Sequence, residues 1–61
     1  MQVMKAEDYI NKIRAEIPYV DIKPYSHNII SICLRALSNL GWSHEQIGEF
    51  IKEEGLDAMG W

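Results

Sequence analysis

The stretch LRALSNLGWSHEQIGEFIKEEG, residues 34–55, decides the fold, because it contains the stop signal of one helix and the start signal of another. Gly41 suits the left-handed position that ends a helix, and Trp42 follows it. Ser43 suits the N-cap of the next helix, and Gln46 three residues later completes a capping box. The sequence therefore predicts a helix, a tight turn and a second helix.

Upstream of this corner, the pattern predicts one more helix and a connector. Apolar residues at steps of three and four predict a first helix over about 5–17, which Pro18 closes. Residues 18–24 lie between two prolines and alternate apolar with polar, so we expect an extended connector there. The remaining predicted elements are a second helix over about 25–40, a third over about 43–54 and a tail over 55–61. We predict a single all-α domain of three helices.

The composition is that of a small globular domain. Of the 61 residues, 48% are hydrophobic and 25% are charged, which is typical of folded rather than disordered chains. A chain this short buries little more apolar area than is needed to offset its conformational entropy, and oligomerisation is a usual remedy. The N-terminal stretch lacks an apolar signal region, and the longest apolar run is too short to span a bilayer. We therefore expect a cytoplasmic protein without membrane contact.

The second predicted helix is apolar over most of its circumference. The polar residues Asn28, Ser31, Arg35, Ser38 and Asn39 occupy only about a 100° sector, and the other faces are apolar and require neighbours. Two short helices can cover part of it, and a second copy of the chain or a protein partner could cover the rest. The predicted interface residues are Ile30, Ile32, Leu34, Tyr19, Tyr25, Met59 and Trp61. For Met59 and Trp61 two alternatives stay open: they fold back on the core, or they remain available to a partner.

Negative charge is concentrated in the last third of the chain. Formal charges sum to +1 over residues 1–42 and to −4 over residues 43–61. Glu45, Glu49 and Glu53 recur at four-residue spacing and share one helix face. This pattern is typical of a solvated acidic face, and it could also serve as an electrostatic surface for a basic partner.

The corner resembles a helix-turn-helix unit of the bacterial repressor type, over residues 33–52. That family has a small residue four positions before the turn glycine, where this chain has Leu37. The positions that carry the resemblance are Leu40, Gly41, Trp42, Ile47 and Phe50. The resemblance implies a DNA-binding transcriptional regulator whose third helix reads bases, which we keep as the alternative function. Because glutamates line that helix and DNA binding needs cationic contacts, we do not expect a nucleic-acid partner.

A second resemblance involves the same turn. The stretch NLGWSHEQ is similar to the junction between the first two helices of ubiquitin-associated domains, whose loop helps to bind ubiquitin. That family has a further helix after the junction pair. The six residues that follow Gly55 do not supply one.

Catalytic and metal-binding patterns are incomplete. The stretch HEQIG, residues 44–48, begins like the zinc-protease helix, but Gly48 stands where the second histidine would be. Ser26 and His27 are neighbours without an orienting acid. Cys33 is the only cysteine, which suits a buried thiol in a reducing compartment. We expect no catalytic residue, cofactor, metal or small-molecule substrate, and predict a non-catalytic interaction or regulatory protein.

Overall fold

The computed structural model of the chain describes residues 4–61, which form an all-α fold. Its helices are α1, Ala6–Glu16, α2, Pro24–Asn39, and α3, His44–Glu53. Two short 3₁₀ helices, Ile17–Tyr19 and Leu56–Met59, follow α1 and α3. The prediction of three helices is confirmed, and each helix end lies within one residue of its expected position.

The connector between α1 and α2 forms a 3₁₀ helix and a tight turn instead of an extended segment, so that part of the prediction is wrong. Pro18 lies inside the 3₁₀ helix Ile17–Tyr19, where its fixed φ suits a helical turn and its missing N–H leaves no donor unpaired. The Tyr19 carbonyl then accepts from Ile22 N–H at 3.0 Å and from Lys23 N–H at 2.7 Å. Four alternating residues are too few to outweigh these local hydrogen bonds, and the connector remains short and compact.

The hydrophobic core lies along one face of α2, against which both other helices pack. The buried apolar side chains are Ile13, Ile30, Cys33, Leu34, Leu37, Phe50 and Leu56. Ser26 is also fully buried, and its hydroxyl donates to Glu16 Oε1 at 3.1 Å. This hydrogen bond satisfies the buried polar group and connects the first turn of α2 with the last turn of α1.

The turn between α2 and α3 has the geometry that its sequence predicts. Gly41 has φ +108°, and the N–H of Trp42 donates to the Leu37 carbonyl at 3.2 Å. The Ser43 hydroxyl accepts from the Gln46 N–H at 3.1 Å, while Gln46 Oε1 accepts from the Ser43 N–H at 2.9 Å. Both helix ends are therefore satisfied by local hydrogen bonds, and the turn holds Trp42 in one place between them.

The C-terminal tail folds back on α2. The Trp61 indole stacks on the His27 ring with centroids 4.0 Å apart and 21° between the planes. Its Nε1–H donates to the Ser31 hydroxyl at 3.2 Å. Of the two alternatives for the tail, the structure shows docking for Trp61, whereas Met59 stays on the surface with 37% of its area exposed.

The molecule is flattened, with principal extents of 31 × 29 × 14 Å. The shortest extent corresponds to two layers of helix backbone, since packed helices lie about 8–10 Å apart and each backbone cylinder has a radius of about 2.3 Å. A two-layer molecule leaves the outer side of each helix in solvent. Within residues 4–61, every helix is too short or too polar to cross a membrane.

Candidate functional site

An apolar strip runs along one side of α2, and we call it the α2 edge. At 100° per residue its members fall within a sector of about 80°. Ile32 at its centre is 66% exposed, and Tyr25 and Leu40 towards its two ends are 54% and 48% exposed. Between them, Ile29 and Ala36 are partly buried. The α2 edge consists of Tyr25, Ile29, Ile32, Ala36 and Leu40.

Two of the predicted interface residues belong to the core instead. Ile30 has no exposed area and Leu34 has 8%, because α1, α3 and the tail cover the side of α2 that carries them. This corrects their assignment as interface residues. The chain covers more of α2 than the sequence pattern indicated, and the apolar surface of α2 that residues 4–61 leave uncovered is confined to the α2 edge.

The aromatic residues of the connector extend the α2 edge at its N-terminal end. Lys23 Nζ lies 4.5 Å from the centroid of the Tyr19 ring and 6.0 Å from that of Tyr25. Tyr19 is 43% exposed, and the neighbouring Ile22 side chain is the most exposed large apolar group described. A single ammonium group thus contacts two tyrosine rings. Together with exposed Ile22, these residues form an amphipathic surface next to the α2 edge.

The α2 edge is almost free of charge. Arg35 is the only Asp, Glu, Lys or Arg in Pro24–Asn39, and its side chain is exposed. Together with Asn28, Ser31 and Ile32 it lines an open surface depression of about 320 Å³. Successive members of the edge are four, three, four and four residues apart, which is close to the spacing that brings two helices together in a coiled coil.

The three glutamates of the predicted acidic face all lie exposed on α3. Within residues 4–61, Glu45, Glu49 and Glu53 form no ion pair, and the salt bridge described there joins Arg14 to Glu54. Arg14 donates from Nε at 2.9 Å and from Nη2 at 3.2 Å to the two oxygens of that carboxylate. The hydrogen bond and negative charge of Glu54 raise the pKa of Arg14 above its ordinary value. One acidic side chain of this region is therefore used structurally, and the other three face solvent.

A second surface depression, of about 210 Å³, opens on the side of α3 that carries Glu49 and Glu53, and we call it the Trp42 pocket. Trp42 and Phe50 pack edge to face in its wall, with ring centroids 6.1 Å apart and 83° between the planes. The residues lining the pocket are Trp42, Gln46, Glu49, Phe50 and Glu53. Sequence reasoning placed the glutamates on one face but missed the pocket. The spacing of 46, 49, 50 and 53 was the available signal, since these positions adjoin on a helix.

Groups with catalytic potential are dispersed or buried. Among the residues that the structure describes, no cluster of three or more His, Cys, Asp or Glu side chains is arranged to hold a metal ion. Cys33 is 5% exposed, and its burial raises the pKa of the thiol. The thiol therefore stays protonated in the core at neutral pH, where it acts as a small apolar side chain.

The corner formed by α2, the turn and α3 has the order of elements that the helix-turn-helix resemblance implies. On the exposed surface of α3, three glutamates have no ion-pair partner among residues 4–61, and their charge opposes a nucleic-acid backbone. No family model, no curated protein and no solved structure matches the chain. The properties of its surfaces are therefore the basis for a functional proposal.

Proposed function

We propose that this protein is a small non-catalytic interaction protein that self-associates through the α2 edge. The observation that carries the proposal is Ile32, a large apolar side chain that is 66% exposed at the centre of an apolar strip. In the proposed dimer, the α2 helices of two copies pack against each other about a twofold axis that passes near Ile32. The same surface then serves both partners, as is usual in homodimers.

The spacing of the α2 edge supports a helix as the occupant. Side chains that recur at steps of three and four present a narrow apolar seam, which another helix covers by ridges-into-grooves or knobs-into-holes packing. Tyr25 and Leu40 lie near the two ends of α2, so the seam extends over most of the helix. A second α2 offers the same seam in a complementary order when the two helices run antiparallel.

The distribution of charge supports a second copy rather than an unlike helix. Because Arg35 is the only charged residue of α2, two α2 helices can meet with few like charges facing each other. Trp61, which follows α3 in the chain, covers His27 and Ser31. At 100° per residue, both lie about 100° or more around α2 from Ile32. The docked tail therefore lies away from the proposed interface and leaves the α2 edge free for a second copy.

Sedimentation equilibrium at several concentrations from the micromolar range upwards tests the proposal. We expect reversible dimerisation of the 7.1 kDa chain, and its loss in Ile32→Glu. Each dimer contains the side chain twice, and burial of one isoleucine is worth about 1.5–3 kcal/mol, so Kd should rise more than about 100-fold. The matched control is Ser38→Glu, which adds the same charge at an exposed position of α2 about 120° away from Ile32.

Three outcomes contradict the proposal. The chain could sediment as a monomer throughout, Ile32→Glu could dimerise like the wild type, or Ser38→Glu could abolish the dimer equally. Retention on heparin at low salt, with DNA affinity that falls steeply as salt rises, would instead support the alternative function of a helix-turn-helix transcriptional regulator. We also propose the cytoplasm as the compartment, because a reducing environment suits the buried thiol of Cys33.

A further inference from the structure

We infer that the Trp42 pocket binds an arginine side chain of a basic partner protein. The pocket lies on α3, and none of its lining residues belongs to the α2 edge. The inference therefore does not depend on self-association. It assigns to the acidic face of α3 a binding site with a defined shape and a defined class of ligand.

The wall of the pocket is aromatic and held in place. Phe50 is 6% exposed, and its ring meets the Trp42 indole edge to face, so the indole is supported from inside the protein. The backbone of Trp42 is also held in place, because its N–H donates to the Leu37 carbonyl. A planar guanidinium can stack on such a supported ring, and arginine is the residue that most often does so in proteins.

The rim of the pocket is anionic. Glu49 and Glu53 line it one helical turn apart, and within residues 4–61 neither forms an ion pair. Arg14, whose pKa the Glu53 charge helps to raise, directs its own hydrogen bonds to Glu54 instead. Two carboxylates beside one indole suit the planar fork of a guanidinium, which can donate to a carboxylate while it stacks on a ring.

The N-terminal end of the pocket is also fixed. Gln46 lines this end, and its side-chain oxygen accepts from the Ser43 N–H in the capping box. An arginine side chain therefore enters a site whose floor and one end are already ordered, and the loss of conformational entropy on binding falls mainly on the ligand and the two glutamates. The negative charge of Glu49 and Glu53 opposes a nucleic-acid backbone as the occupant.

Titration of the full-length protein with a peptide tests the inference. The probe is an acetylated and amidated peptide of four arginines separated by glycines, followed in ¹H–¹⁵N spectra through the two indole N–H signals. We expect a saturable shift of the Trp42 signal. The Trp61 signal should stay constant, because this indole docks on His27 near the opposite end of α2, about 20 Å along the helix.

Two sets of controls identify the site and the ligand. Glu49→Gln and Glu53→Gln should each weaken binding about fivefold, the upper range for an exposed ion pair, whereas Glu45→Gln should change it less than twofold. Glu45 is on the same helix and its change removes the same charge, but it does not line the pocket. The same peptide with citrulline in place of arginine, which keeps the shape and loses the charge, should not bind.

Several results would overturn the inference. The Trp42 signal could remain unchanged at millimolar peptide, or Glu45→Gln could weaken binding as much as the pocket variants do, which would indicate attraction by net charge alone. A lysine peptide that binds as tightly as the arginine peptide would refute the assignment to a guanidinium. Thermal unfolding of each variant verifies the fold. Trp42 itself is left intact, because its substitution would disturb the turn.

Discussion

Docking of the tail on α2 predicts that Trp61→Ala destabilises the protein considerably. The side chain stacks on His27 at 4.0 Å, donates to Ser31 at 3.2 Å and packs against the core cluster. The substitution removes all three interactions, which hold the residue after the 3₁₀ helix Leu56–Met59 and its Gly60 cap against α2. Because Leu56 is completely buried, loosening of the tail also exposes part of the core.

The loss of stability in Trp61→Ala can be derived from the apolar area that the indole buries. A tryptophan buries about 150–250 Å², and at about 25 cal/mol per Å² this corresponds to about 4–6 kcal/mol. The value is an upper bound, since the unfolded chain already buries part of this area. Trp61 also remains partly exposed, and ordering the tail opposes the gain. We expect a net loss of about 2–3 kcal/mol.

Urea unfolding followed by circular dichroism measures this loss. A chain of this length has a total stability of about 3–9 kcal/mol, so the variant should lose a large part of it, and Tm should fall by about 8–24 °C. The control is Met59→Ala on the same turn, which leaves the Trp61 contacts in place and should destabilise the protein clearly less than Trp61→Ala does. In the wild type, acrylamide should quench Trp61 less than it quenches tryptophan in a short peptide. A destabilisation below about 0.5 kcal/mol for Trp61→Ala, with an unchanged m-value, would refute the docked tail.

Two further predictions concern the turn and the core. Ser43→Ala removes the hydroxyl that accepts from Gln46 N–H at 3.1 Å, and it should destabilise the fold by about 1 kcal/mol in urea unfolding. Ser43→Asp should restore most of this stability. An alanine variant as stable as the wild type would contradict the cap. Burial raises the pKa of Cys33, so the unfolded chain releases this proton first, and stability should fall as the pH rises above about 8.5 towards the pKa of the folded state. Cys33→Ala should remove this part of the pH profile of stability, and an unchanged slope in that variant would show that another group causes it.

The local part of the fold could be predicted from the sequence because each signal acts within a few residues. Gly41, Trp42, Ser43 and Gln46 satisfy the helix ends with their own backbone and side-chain groups, and their hydrogen bonds are present as expected. The three helices likewise follow from apolar periodicity. The connector 18–24 was mispredicted, since four alternating residues favour a strand only if a partner strand exists to pair with them.

The sequence alone determined three helices, a glycine turn and an acidic α3. It did not determine which apolar sides of α2 are covered. A helix that is apolar over most of its circumference has no sequence pattern that distinguishes the apolar side facing α1, α3 and the tail from the apolar side facing solvent. Tertiary packing buried Ile30 and Leu34 and left Ile32 exposed. It also docked Trp61 on a histidine 34 positions earlier in the chain. Contacts between residues so far apart depend on how the helices pack, which no local pattern encodes.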